Sequence, residues 1–121
     1  MPSERLIEHF RNPQNVGELP LPALKVDVTN PACGDMLRLC ARVEGETLDE
    51  VRFKARGCVA SIGAASALTE LLRGRTRDSL LQVTTADVEE AVGGLEAESK
   101  HAAQLCVDAV RELHRSWAHA L

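Results

Sequence analysis

Hydrophobic spacing changes period once along this chain, at Gly57-Cys58, and that change decides what it can fold into. Before it, Leu24, Val26 and Val28 alternate with polar residues. Leu37, Leu39, Ala41 and Val43 alternate with Met36, Arg38, Cys40 and Arg42, and Val51, Phe53 and Ala55 with Arg52, Lys54 and Arg56. Successive side chains of a strand point to opposite faces, so each run describes a strand with one packed face and one partly charged face. Glu44-Gly45-Glu46 supplies a hairpin turn, and the set predicts a three-stranded antiparallel meander.

After Cys58 the apolar residues fall three or four apart, the repeat of a helical face: Ile62, Ala65, Leu68, Leu71 and Leu72, with Gly74 as C-cap. Thr76 and Thr85 stand where they would cap two short helices, and Gly93-Gly94 breaks the chain. A last helix runs from about Ser99 to His119, with Ala102, Leu105, Cys106, Ala109, Val110, Leu113 and Trp117 as its apolar stripe. A short helix also opens the chain after Ser3, a suitable N-cap, and stops at Asn12-Pro13 before an irregular loop to Pro22. Strands followed by helices predict an α+β fold: a three-stranded antiparallel sheet with helices packed on one face and a long C-terminal helix. With 121 residues and no linker or repeat, residues 1–121 read as a single domain.

Composition removes several function classes. Net charge is −4 and aromatic residues number three (Phe10, Phe53 and Trp117), so the chain offers neither a basic face nor a stacking platform for nucleic acid. Asp87, Glu89, Glu90, Glu96 and Glu98 form the longest charge bias and read as a solvated helix face and loop. No apolar run suits a signal peptide or a membrane span, and the chain reads as cytoplasmic. There the four cysteines are metal ligands, reactive thiols or core residues rather than disulfides.

Three places carry chemistry. In Asn30-Pro31-Ala32-Cys33-Gly34-Asp35, between two strands, Gly34 permits a bend that turns a thiolate and a carboxylate into one space. The competing reading is a buried loop cysteine beside a turn aspartate. Cys58 stands where a strand hands over to a helix, and a helix N-terminus favours thiolate; a small core residue at a junction is the alternative. His101 lies in the first turn of the last helix at the margin of its stripe, where the dipole favours the neutral imidazole a metal requires, although surface histidines are common there. Together, Cys33, Asp35, Cys58 and His101 suit tetrahedral zinc or an iron–sulfur centre. His9, His114 and His119 read as surface or helix-end residues, and Cys40 as structural.

Longer segments resemble the NifU/IscU-type iron–sulfur cluster assembly scaffolds. Ile7 to Gly17 (IEHFRNPQNVG) is similar to the family's opening helix and its Asn-Pro-x-Asn-Val-Gly loop. Pro31 to Asp35 resembles the first cluster loop. Arg52 to Cys58, with Ser61 and Ala65 to Arg75, resembles the second, and Lys100 to Leu105 the third. The resemblance implies a scaffold or carrier, not an enzyme, with Cys33, Asp35, Cys58 and His101 holding a [2Fe–2S] cluster or iron, and zinc as another occupant of the resting site. A cysteine desulfurase would donate sulfur, and apo iron–sulfur acceptor proteins would take the cluster. A persulfide sulfur-transfer relay on Cys33 or Cys58 is the alternative, as is a degenerate regulatory paralogue that binds metal or partners without building a cluster.

Three departures qualify this picture. The family's third cysteine directly follows the histidine, and here Ala102 stands there. Leu95-Glu96-Ala97-Glu98-Ser99-Lys100 lacks the Leu-Pro-Pro-Val-Lys motif read by a dedicated chaperone, so that partner is not expected. There is also no insertion between Leu72 and His101 of the kind seen in the zinc-binding SufU-like branch. Cys106 lies one helical turn beyond Ala102, about 6 Å along the axis, and reads either as core or as a substitute ligand.

Overall fold

The computed structural model describes residues 1–120. Its elements are α1 (Glu4–Arg11), β1 (Leu24–Thr29), β2 (Met36–Glu44), β3 (Thr47–Arg56), α2 (Val59–Leu72), α3 (Thr85–Ala91) and α4 (His101–Ala120), with 3₁₀ turns at Asp78–Gln82 and Ala97–Ser99. The sheet has the expected antiparallel order β1-β2-β3. Its register stacks the inward residues in rows: Leu24–Ala41–Val51, Val26–Leu39–Phe53 and Val28–Leu37–Ala55. A slip by one residue would turn every member of these rows to solvent, so burial of one face fixes the pairing. Gly45-Glu46 closes the β2–β3 hairpin, with Gly45 at a φ of +64° that a two-residue turn of this kind requires. A register shift between Arg42 and Val43 lets β3 begin at Thr47 and bury Leu48.

Helices cover the inward face, as the pattern implies, but α2 departs from a one-sided helix. It packs against α1, β3, α3 and α4. Besides Leu68 and Leu72, it buries Ala60, Ser61, Gly63, Ala64, Ala65, Ser66, Ala67 and Thr69, whereas Ile62 and Leu71 stay partly exposed. Small residues on all sides let four elements approach one axis. A Cβ on Gly63 would lie 2.5 Å from Leu6 Cδ1 and 3.0 Å from the Leu6 carbonyl oxygen, so the α1 contact is made over bare backbone. The buried hydroxyls are satisfied by the irregular loop: Ser66 Oγ accepts from the Gln14 N–H at 2.8 Å, and Thr69 Oγ1 from Asn15 Nδ2 at 3.0 Å.

That loop also protects the outer edge of β3. Phe53 N–H donates to Asn15 O at 2.9 Å and Gly17 N–H to Phe53 O at 2.8 Å, a short parallel pairing on an edge that would otherwise template association. Glu18 then meets one cation from each strand: Lys25 at 3.1 Å, Arg38 at 3.3 Å and Lys54 at 3.3 Å. Cys40, on this outer face, is nonetheless buried, in keeping with a structural role.

Three details differ from the sequence expectations. Thr84, not Thr85, caps α3, because its hydroxyl accepts from the Asp87 N–H while the Asp87 carboxylate accepts from the Thr84 N–H. The last helix begins at His101 rather than near Ser99, since Ala97–Ser99 winds as a separate 3₁₀ turn. His9 is a helix-end residue, as expected, but half-buried rather than on the open surface: its Nδ1 lies 2.8 Å from Ser66 Oγ and its Nε2 3.5 Å from Glu70, between α1 and α2.

Candidate metal centre

The β1–β2 loop closes on itself before it presents its side chains. Asn30 Oδ1 accepts from the Ala32 N–H at 2.9 Å, the Gly34 N–H donates to Asn30 O at 2.7 Å, and the Asn30 N–H to Asp35 O at 2.8 Å. Gly34, at φ +76°, makes the bend. Cys33 is left exposed on the loop, while Asp35 folds inward and is only 6% exposed.

Asp35 lands on the start of α2. Cys58 is the N-cap of that helix, and its side chain caps nothing, so the thiol is available. The residue before it has to be glycine on two counts. Gly57 holds φ +154°, and a Cβ there would sit 2.5 Å from Asp35 Cγ. The room that Gly57 leaves is therefore filled by the Asp35 carboxylate. Ser61, on the first turn of α2, donates its hydroxyl to Asp35 Oδ2, and the Cys58 thiol donates to the same oxygen at 3.5 Å. The Ser61 hydroxyl first, and then the thiols of Cys58 and Cys33, hold the Asp35 carboxyl below its usual range against the opposing effect of burial. The positive end of α2 favours the same ionised form.

His101 arrives from the opposite side as the first residue of α4. Its Nδ1 lies 3.1 Å from the Glu98 carbonyl oxygen, which can only accept, so Nδ1 carries the proton in that bond. Nε2 faces Cys58 Sγ at 3.6 Å and Asp35 Oδ2 at 3.5 Å. One ring nitrogen fixed by a backbone carbonyl and the other turned to the remaining donors is the usual arrangement of a metal-binding histidine. Cys33 joins through these two residues, its sulfur lying within 4.8 Å of ligand atoms of Asp35 and His101.

Asp35 and His101 thus stand between the two thiols, with Cys58 at 3.5 and 3.6 Å from them and Cys33 within 4.8 Å of both. Bonds of about 2.0–2.3 Å at tetrahedral angles put neighbouring ligand atoms about 3.3–3.8 Å apart. Separations of 3.5, 3.6 and 3.5 Å among Asp35, Cys58 and His101 describe one face of such a tetrahedron, and the donor types suit zinc or iron. Ser61 entered the sequence reading only as part of the segment resembling the second cluster loop and was given no role, although its place three residues after the Cys58 cap, on the same side of the first turn, was a usable signal. Ala102 is 0% exposed and belongs to the core. Cys106 is buried in the same cluster, and burial pushes its thiol up to about 12, a protonated core residue rather than a ready thiolate. No helix among the described residues is long and apolar enough to cross a membrane.

Known proteins resemble this chain in sequence and in fold. The family described as the NifU-like N terminal domain matches residues 1–117. The chain is 44% identical over 115 residues to the bifunctional protein NifU/MnmA of Rubrobacter xylanophilus; the match covers 93% of this chain but 23% of that much longer protein. It is 35% identical over 111 residues to the iron-sulfur cluster assembly scaffold protein IscU 1 of Archaeoglobus fulgidus, covering 92% of this chain and 72% of the relative. A crystal structure of a putative iron-sulfur cluster assembly scaffold protein for the SUF system, from Fervidobacterium islandicum, superposes with a TM-score of 0.65 over 94% of both chains; at 18% identity it speaks for the fold. On the extent of the family match and of the archaeal relative, this chain belongs to the NifU-like N-terminal domain family.

Proposed function

We propose that this chain is an iron–sulfur cluster assembly scaffold or carrier, a binding protein rather than an enzyme. It would hold its cargo, a [2Fe–2S] cluster, an iron ion or zinc, on Cys33, Asp35, Cys58 and His101. The observation that carries this reading is the near-equilateral spacing of Asp35 Oδ2, Cys58 Sγ and His101 Nε2, with an exposed Cys33 beside it. Four donors serve one tetrahedral ion, or two irons with two each. Exposure of both thiols leaves the cargo open to a sulfur donor, which the family implies to be a cysteine desulfurase, and to apo acceptor proteins. A carboxylate among thiolates is a hard donor to a soft-ligand centre, so it holds iron less firmly than a third sulfur and favours release.

On this reading the chain is a variant of its family without the third cysteine, whose place Ala102 takes. Metal content of purified wild type and Cys58→Ala, read by elemental analysis, tests the site. About one equivalent is expected in the wild type and a small fraction of that in the variant; equal contents would sink the assignment. Anaerobic reconstitution with iron and sulfide of wild type beside Ala102→Cys tests the variant reading. The wild type should form a chromophore and the substituted chain a larger one; no chromophore in the wild type would leave metal carriage as its role.

A further inference from the structure

We propose that Ser61 is a positioning residue for the cargo, holding Asp35 in the one orientation that completes the ligand face; this rests on the site proposed above. Asp35 Oδ2 is the shared point of the site. It accepts from Ser61 Oγ and from Cys58 Sγ, and it faces His101 Nε2 at 3.5 Å. Ser61 is 2% exposed, and its hydroxyl also lies 3.4 Å from Cys58 Sγ.

Loading changes every side-chain partner of Asp35 except this one. A thiol binds a metal as thiolate, so Cys58 and Cys33 both surrender the protons with which they hold the carboxylate. They then become negative neighbours that push Asp35 away. His101 Nε2, once it binds the metal through its lone pair, has no proton to donate to Asp35. The Ser61 hydroxyl keeps its proton in both states, and an ionised carboxylate can only accept it. Ser61 is therefore the side-chain anchor that persists when the cargo arrives. Gly57 supplies only an opening on one side of the carboxylate, not a bond. Without Ser61, the backbone N–H of Cys58 is what remains to hold Asp35 just when two thiolates repel it.

Cobalt(II) titration of the full reduced chain under anaerobic conditions tests this, because thiolate-to-cobalt absorption reports the sulfur ligands separately from affinity. Partners that orient a metal-binding side chain are worth about 10–100-fold in affinity. Ser61→Ala should weaken cobalt binding by about tenfold or more while the thiolate bands keep their intensity at saturation, and Ser61→Thr should restore most of the loss. In an Asp35→Ala background, Ser61→Ala should change affinity less than about twofold, because its effect passes through the carboxylate. Wild-type affinity in Ser61→Ala would overturn the positioning role and leave the site intact. An undiminished loss in the Asp35→Ala background would overturn it too, showing a packing effect. A wild-type chain that takes up no cobalt would instead overturn the site, and the role of Ser61 with it.

Discussion

Gly57 is the residue on which the site's geometry depends most. Its φ of +154° is disfavoured for any side chain, and a Cβ there would lie 2.5 to 2.8 Å from all three carboxylate atoms of Asp35. Gly57→Ala must therefore strain the backbone, expel Asp35 from the start of α2, or both. Strain and overpacking of this kind cost about 1–3 kcal/mol, and displaced Asp35 removes one of the proposed ligands. Metal content by elemental analysis is expected to fall well below that of the wild type, with a lowered urea midpoint. Retention of both would show that Asp35 has another place to sit. Cys33, Asp35, Cys58 and His101 could be proposed as neighbours from the sequence because each stands in a loop or at an element end, where turn and dipole chemistry is local. The role of Ser61 and the reason for Gly57 could not be read there, since both depend on a carboxylate 22 to 26 positions away being folded onto them.

At the scale of elements, the strands were readable and the central helix was only half readable. Period-2 alternation reports a sheet with one wet face, so β1 to β3 could be placed to within a few residues. Their outward residues pair in ways that alternation also anticipates, such as Arg38 with Asp27 at 2.7 Å. Helix α2 showed a stripe of larger residues but hid its other partners, because alanine and glycine say little about which side is buried. Gly63 gives the measurable consequence. Ala improves intrinsic helix propensity over Gly by about 1 kcal/mol, yet the added Cβ would meet Leu6 Cδ1 at 2.5 Å and its carbonyl oxygen at 3.0 Å. Overpacking at about 1–3 kcal/mol outweighs the propensity gain. Gly63→Ala should be net destabilising by about 1 kcal/mol in chemical denaturation, and a more stable variant would show that α1 can retreat without loss.

Across the whole molecule, one carboxylate joins the irregular loop to the sheet, and the sheet runs on into the site. Residues 15–17 pair with β3, the strand that runs on into Gly57-Cys58, and Glu18 ties the same loop to Lys25, Arg38 and Lys54 on three strands. Hydrogen bonding to Lys25, then to Lys54, lowers the Glu18 pKa from 4.5 to about 2. A group whose pKa is depressed by folding stabilises the native state fully above its unfolded value. That contribution is lost as pH falls through the folded one. Its window therefore runs from about 4.5 down to about 2, below neutral pH. Glu18→Gln should lower the urea midpoint at pH 7, and the gap between wild type and variant should shrink on acidification through that window. Because Glu18 makes no hydrogen bond or ion pair with Cys33, Asp35, Cys58 or His101, metal content at pH 7 should be unchanged. A gap that stays constant with pH would mean the carboxylate is not ion-paired in solution. A fall in metal content would mean instead that the loop transmits to the site through β3, and that the sheet's outer face sets the position of Cys58.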